Sequence, residues 1–124
     1  MSKIVLAELV PVPSKNKVMA PDELELVWEI ITKEDNLGFG MAVADIIKSV
    51  PHFHKKMFEI YILVSGILEV FVNGKSKLLS LPGEGVRILP ERNHWARSYG
   101  EKIPARVLAW SYPAWTLEDH HLMK

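Results

Sequence analysis

Short runs of β-branched and aromatic residues alternate with turn residues along most of the chain. Runs of this kind, separated by glycine, proline and asparagine, are typical of strands in an all-β sandwich or barrel. The clearest turn is Asn73-Gly74, which supplies the two positive-φ residues of a type I′ hairpin. The pattern predicts strands over residues 4–10, 23–32, 39–47, 58–64, 67–72, 75–79, 86–89, 94–99 and 105–112.

Three segments near the ends of the chain need separate interpretation. Residues 23–32 follow Pro21-Asp22, which can open a helix, but their β-branched and aromatic content favours a strand. Residues 14–21 are mostly polar or proline and are predicted to form a connection. Thr116 is predicted to cap a short helical turn over residues 116–119.

Bulk properties restrict the classes of function. The 124 residues suffice for one domain, predicted over 1–124 with its core barrel at 23–112. The net charge is zero, which disfavours nucleic acid as a partner because there is no basic excess to displace counterions. The chain has no cysteine, which excludes disulfides and thiolate metal sites and fits a reducing compartment. The apolar run at 4–7 is too short for a signal peptide or a membrane span, so we expect a cytoplasmic protein without a membrane partner.

The stretch from residue 51 to residue 66 carries the clearest candidate chemistry. His52 and His54 are two residues apart, so on an extended segment they point to one face, roughly 6.5 to 7 Å apart along the strand. Glu59 lies at an odd offset from His54 and would point to the other face of an unbroken strand. The three side chains can therefore meet only if the chain bends between them. Lys55-Lys56 is the predicted bend, because two adjacent charges suit a solvated turn.

This stretch resembles the first motif of the cupin superfamily, G(X)5HXH(X)3-4E(X)6G. His52, His54, Glu59 and Gly66 fall at the matching positions, whereas Ile46 replaces the opening glycine. The resemblance implies a cupin-type double-stranded β-helix, or jelly-roll barrel.

The second cupin motif, G(X)5PXG(X)2H(X)3N, can be aligned with residues 83–98. Gly83 and His94 match, and the proline is displaced by one position. Leu89, Glu91 and Ser98 stand at the motif's proline, inner glycine and final asparagine and do not match. The two motifs follow in the order and at the spacing that are typical of small single-domain cupins.

The resemblance implies one divalent transition metal held by His52, His54, Glu59 and His94. Without sulfur donors, iron, manganese, nickel, cobalt and zinc all fit. Four protein ligands on a six-coordinate ion leave two positions open, which is a catalytic arrangement. The implied function is an enzyme acting on a small oxygenated metabolite, either dioxygenase-like or isomerase- or lyase-like. The alternatives are a non-catalytic ligand-binding or sensor cupin and a β-sandwich whose histidines are coincidental.

Beside the ligands, Glu59 and Tyr61 are the candidate catalytic residues, since Tyr61 shares the face of Glu59. A core aromatic role for Tyr61 is the alternative interpretation. Residues 60–64 are apolar on both faces, which predicts a homodimer that covers the outer face. The resemblance adds that strand 4–10 can lie at the dimer interface. Several further residues are expected at the surface, in interfaces or in the core rather than in the site: Arg87, Arg97, Arg106, Trp115, His120 and His121.

Overall fold

The chain forms β-strands that pack as two antiparallel sheets. The structure, a computed structural model, describes residues 16–19, 24–100 and 103–123. In this part of the chain the strands are β1 Asn16–Met19, β2 Glu25–Ile31, β3 Gly40–Ile46, β4 His52–Phe53, β5 Phe58–Ser65, β6 Leu68–Val72, β7 Lys75–Leu79, β8 Gly85–Ile88, β9 His94–Ser98, β10 Ala105–Tyr112 and β11 His121–Leu122. Two 3-10 helices span Lys33–Asp35 and Leu117–Asp119.

The order of strands in each sheet is that of a jelly roll. One sheet has the order β1-β2-β3-β10-β5-β8, and the other has the order β11-β4-β9-β6-β7. Strands that are neighbours in a sheet are therefore often far apart in sequence, as in β10, which pairs with both β3 and β5. The predicted all-β jelly-roll fold is confirmed.

The core lies between the two sheets and is built by alternation along the strands. On β5 every second side chain is buried, which places Glu59, Tyr61 and Leu63 inside. Leu63 packs in a cluster with buried aliphatic residues of both sheets, including Leu68 and Val107. The alternate residues of β5 face outward and are only partly buried, so this strand is apolar on both faces.

The structure decides the three ambiguous segments. Residues 25–31 form a strand, as their composition predicts, and pair with both β1 and β3. The prediction of a connection over 14–21 is wrong, because Asn16–Met19 pairs with β2 at the edge of the sheet. Leu117–Asp119 forms the predicted helical turn, although Thr116 makes no side-chain capping hydrogen bond.

Two further observations concern the turns and the ends of the chain. Asn73 and Gly74 both have positive φ, 50° and 82°, between β6 and β7, which confirms the predicted hairpin. The predicted strand at 4–10 lies outside the described residues. None of the helices in the described ranges has the length and apolarity needed to cross a membrane.

Candidate metal centre

The four predicted ligands come from three different parts of the fold and meet between the sheets. His52 lies on β4, His54 directly follows it, Glu59 lies on β5 and His94 opens β9, where it is the register partner of His52. All four are buried, with at most 8% of their surface exposed. One ligand atom from each lies within 4.8 Å of the others. The structure therefore brings together the residues that the sequence predicts as ligands.

Backbone carbonyl groups fix the tautomer of all three histidines. The Nδ1 atom of each ring lies 2.8 to 2.9 Å from a main-chain oxygen, of Val50 for His52, of Asp119 for His54 and of Arg92 for His94. A carbonyl oxygen can only accept a hydrogen bond, so each Nδ1 carries the proton. In a neutral ring Nε2 then keeps its lone pair, which is the form that binds a metal ion.

Glu59 faces these nitrogens as an ionised carboxylate. Its Oε1 lies 3.1 Å from His94 Nε2 and 3.4 Å from His54 Nε2. Burial raises the pKa of Glu59, but the nearby His54 and His94 rings outweigh this and lower the pKa to about 2. A carboxylate oxygen and an unprotonated Nε2 repel each other at this distance, so the centre needs a proton or a metal cation between them.

The residues present fit a divalent metal. His54 Nε2 is buried and has no hydrogen-bond partner in the described part of the chain, as expected of a ligand atom. Burial, with a smaller contribution from His94, lowers the pKa of His52 to about 3, so this ring is neutral near pH 7. Three imidazole nitrogens and one carboxylate oxygen suit iron, manganese, cobalt, nickel or zinc.

A carboxylate at the far end of the chain fixes the bend between the ligands. The chain turns at Lys55-Lys56, as the odd offset of Glu59 predicts. The Asp119 side chain accepts hydrogen bonds from the backbone N–H groups of Lys55, Lys56 and Met57 at 2.9, 3.1 and 3.0 Å. Asp119 also provides the carbonyl that binds His54 Nδ1, so it supports both the bend and one ligand.

The expectation that His120 lies at the surface is wrong. Its ring stacks on the ring of His52, with centroids 4.4 Å apart and an interplanar angle of 20°. Trp115 Nε1 donates a hydrogen bond to His120 Nδ1 at 3.2 Å, so a neutral His120 carries its proton on Nε2. Burial is the main cause that lowers the pKa of His120, and the nearby His54 ring lowers it further. His121 is half-buried and stacks on Phe53 instead, with centroids 5.0 Å apart.

These residues open into a cavity of about 240 Å³ between the sheets. Tyr61 lines it and is 8% exposed. Burial, with smaller contributions from Glu59 and Glu25, raises the pKa of Tyr61 well above its ordinary value, so the hydroxyl stays protonated. The lining consists of Glu25, Val27, Glu29, Ile31, Thr32, Gly40, Met41, Ala42, Ala44, Ile46, His52, His54, Met57, Glu59, Tyr61, Val107, Ala109, Ser111, Trp115 and His120.

Solved structures with this architecture include several cupins. A cupin-like protein from Thermotoga maritima has a TM-score of 0.63 and 18% identity, over 77% of this chain and 80% of that one. The chain has the fold of a small cupin domain. The resemblance predicted from the two sequence motifs is thus confirmed at the level of the fold.

Two further cupin neighbours indicate the range of proteins built on this fold. Ectoine synthase from P. lautus has a TM-score of 0.65 and 15% identity, over 100% of this chain and 90% of that one. PAC13 from Streptomyces, solved with uridine, has a TM-score of 0.72 and 12% identity, over 92% and 88% of the two chains. No family model matches the chain, and no curated protein matches its sequence. At these identities the likeness concerns the fold, so function has to be argued from the site.

Proposed function

We propose that this chain is a mononuclear metal-dependent enzyme acting on a small oxygenated metabolite, with His52, His54, Glu59 and His94 as the metal ligands. The observation that carries the proposal is the shared orientation of the imidazoles. Each donates its Nδ1 proton to a carbonyl group, and the Nε2 atoms of His54 and His94 face Glu59 in a buried centre. If these histidines served only for packing, there would be no reason for all three rings to carry their proton on Nδ1 around one carboxylate.

The metal, when bound, supplies Lewis-acid chemistry at a substrate oxygen or, in the case of iron, redox chemistry with O2. Both the dioxygenase-like and the isomerase- or lyase-like reactions fit this centre. The ionised Glu59 offsets part of the charge of a cation. The adjoining cavity of about 240 Å³ has room for a small metabolite rather than a polymer.

The chain's own residues supply hydrogen bonding and proton transfer beside the metal. The Tyr61 hydroxyl stays protonated, so it serves as a hydrogen-bond donor to the substrate rather than as a base. His120 is neutral and half-buried against His52, and its Nε2 proton is the one that this ring would transfer to or from a substrate. Trp115 orients this ring through Nε1. We propose Glu59 and Tyr61 as catalytic residues, with His120 as a further candidate that the sequence interpretation missed.

A turnover screen tests the proposal. Protein loaded separately with each of the five divalent ions is incubated with hydroxy acids, keto acids and sugar acids, with and without O2, and consumption is followed by NMR. We expect at least one compound to be consumed by the loaded wild type and not by Glu59→Gln. If the compound is still consumed without O2, the dioxygenase-like reaction is excluded.

The second candidate function is a cupin that holds a ligand without transforming it. One observation favours it: the Tyr61 hydroxyl stays protonated and Glu59 faces the imidazoles, so neither serves as a free base in the cavity. This candidate predicts that a compound binds and is recovered unchanged. It also predicts that His120→Gln leaves the affinity for that compound intact, whereas the enzyme proposal predicts lost turnover.

We also propose that the chain is a single cupin domain over 1–124 that acts as a homodimer in the cytoplasm. The outer face of the larger sheet supports dimerisation, because Ile60, Ile62, Leu108 and Trp110 leave it apolar and only partly buried. Sedimentation tests this: a species of 14.1 kDa at micromolar concentration would refute the dimer.

A further inference from the structure

The part of the cavity formed by β3 and β10 is lined by small residues. Gly40, Ala42 and Ala44 line it at alternate positions of β3. Ala109 and Ser111 line it from the neighbouring strand β10. The two strands are paired at these positions, so the five residues form one small-residue strip. Protein interiors normally contain few voids larger than a water molecule, so the cavity of about 240 Å³ beside this strip is space that the core leaves open.

One end of the small-residue strip lies beside the metal ligands. Ser111 is the register partner of Glu59 on β5, and both side chains are buried on the inward face. Opposite residues on one face of an antiparallel pair have Cβ atoms about 4.5 to 5.5 Å apart. A Cβ at Gly40 would lie 2.7 Å from Ser111 Oγ, so the glycine leaves room for this hydroxyl. The end of the strip next to Glu59 is therefore polar.

The other end of the strip is apolar. Ala44 is four residues beyond Gly40, which is about 13 Å along a strand. Ala44 pairs with Val107 on β10, and both residues are buried. Glu25 and Glu29 line the cavity from β2, which lies on the other side of β3 from β10. The β10 side of the strip therefore offers an aliphatic surface that leads away from the metal ligands.

The centre beside the strip gives an independent indication of a ligand. His54 is 3% exposed and lines the cavity, and its Nε2 atom has no hydrogen-bond partner in the described part of the chain. Buried polar atoms are almost always hydrogen-bonded in native structures. A metal ion at Nε2 would fill only a small part of the cavity, so the strip leaves room for an organic ligand of that metal.

We propose that the ligand is a short aliphatic hydroxy acid or keto acid. Its carboxylate and the adjacent oxygen lie at the metal and Ser111, and its unbranched tail lies on Ala109, Ala42 and Ala44. This inference rests on the proposed function for the oxygen-bearing end, whereas the tail depends only on the small-residue strip. At roughly 30 Å³ per non-hydrogen atom, the volume of a water molecule in the liquid, about 240 Å³ holds about eight such atoms. A hydroxy acid of about five carbons has that size.

The first test titrates a series of compounds into wild-type protein loaded with zinc and follows binding by calorimetry. Lactate, 2-hydroxybutanoate and 2-hydroxypentanoate share the chelating end and gain one methylene group at each step. We expect each step to tighten binding about fourfold. 2-Hydroxyglutarate has the carbon number of 2-hydroxypentanoate but ends in a carboxylate, so it should bind more weakly. Affinity that does not rise along the series, or equal or tighter binding of 2-hydroxyglutarate, would overturn the proposal.

Variants assign the tail to the strip. Ala109→Val and Ala42→Val each add volume at the middle of the strip, and Ser76→Val, on the exposed part of β7, is the matched control. We expect each strip variant to weaken the binding of 2-hydroxypentanoate at least about tenfold, with the affinity for lactate within about twofold and the metal content unchanged. The control should behave like wild type. Unchanged affinity for 2-hydroxypentanoate in folded, zinc-loaded Ala109→Val would refute the assignment.

Metal-free protein separates this inference from the proposed function, and it also decides if the valine variants fail to fold. 1-Pentanol and 1,5-pentanediol have no chelating end and differ only at the far end of the chain, so their relative affinity in NMR titrations reports the strip alone. Tighter binding of pentanol than of the diol, lost in folded Ala109→Val, would support the tail site even if no metal bound. Equal or tighter binding of the diol would overturn the tail site, while a measured metal stoichiometry would leave the proposed function intact.

Discussion

Removing the Asp119 side chain should destabilise the fold and weaken metal binding together. Its carboxylate accepts hydrogen bonds from three backbone N–H groups of the bend, and its carbonyl binds His54 Nδ1. A hydrogen bond to a charged group contributes about 1.5 to 3 kcal/mol when shielded and less at the surface. The N–H donors of Lys55 and Lys56 belong to exposed residues, whereas Met57 is buried, so we expect Asp119→Ala to cost about 3 kcal/mol.

The assay is thermal unfolding of metal-free protein together with metal titration. A loss of about 3 kcal/mol should lower Tm by about 10 °C in a chain of this size. Metal affinity should fall about tenfold to a hundredfold, because the loosened bend no longer fixes His54. Glu118→Ala, at the exposed neighbouring residue, should change neither quantity. Asp119→Ala with Tm and metal affinity unchanged would refute the reasoning.

The same interaction has a defined pH dependence. Burial raises the pKa of Asp119, but its hydrogen bonds from Lys55, Lys56 and Met57 outweigh this and leave the pKa below the ordinary value. The stabilisation is therefore present above the pKa of the unfolded carboxyl, about 4, and is lost as pH falls through the lower folded value. The difference in stability between wild type and Asp119→Ala should shrink accordingly below about pH 4.

Three further predictions concern the core, one turn and the histidine centre. Leu68→Ala removes a fully buried side chain and should cost about 2 to 5 kcal/mol in denaturant unfolding, whereas Leu81→Ala, 65% exposed, should cost little. Gly66 and Gly74 share a φ of 82°, but a Cβ at Gly66 would lie 3.0 Å from the β10 backbone, whereas a Cβ at Gly74 would have no atom within 4 Å. We expect Gly74→Ala to lower the free energy of unfolding by about 1 kcal/mol and Gly66→Ala to lower it by clearly more. Equal losses of stability would contradict this steric argument. Burial lowers the pKa of His52 to about 3, so as pH falls below about 6.5 the unfolded chain binds a proton at this residue before the folded chain does. The stability of metal-free wild type relative to His52→Gln should therefore fall by up to about 1.4 kcal/mol per pH unit between about pH 6.5 and pH 3. A stability difference that does not change with pH would show that the ring is already protonated in the folded protein.

The metal ligands could be predicted because their spacing is itself a geometric constraint. Two histidines at a two-residue offset must share a face of a strand, and the odd offset of Glu59 requires a bend, which the structure has at Lys55-Lys56. His94 needed the resemblance to a second motif, because nothing local to residue 94 indicates that β9 pairs with β4.

The C-terminal contribution to the site could not be predicted, because it depends on long-range contacts. The hydrogen bond from His54 Nδ1 to the Asp119 carbonyl joins residues that are 65 positions apart. The His120 ring stacks on His52 because the same C-terminal segment packs beside the ligands. The exposed position expected for His120 and His121 followed only from their location near the end of the chain. β1 was missed for a related reason, since Asn16–Met19 becomes a strand by pairing with the edge of β2.

The measurement that tests the central claim most directly is the metal content of untagged protein purified without chelator, beside a His52→Ala/His54→Ala variant. The account predicts close to one divalent transition metal ion per wild-type chain and none in the variant, with both proteins folded by circular dichroism. Retention in wild type should fall below about pH 6, because ligation needs neutral imidazole. No metal in wild type, even after reconstitution with each of the five ions, or equal metal in the variant, would contradict the account.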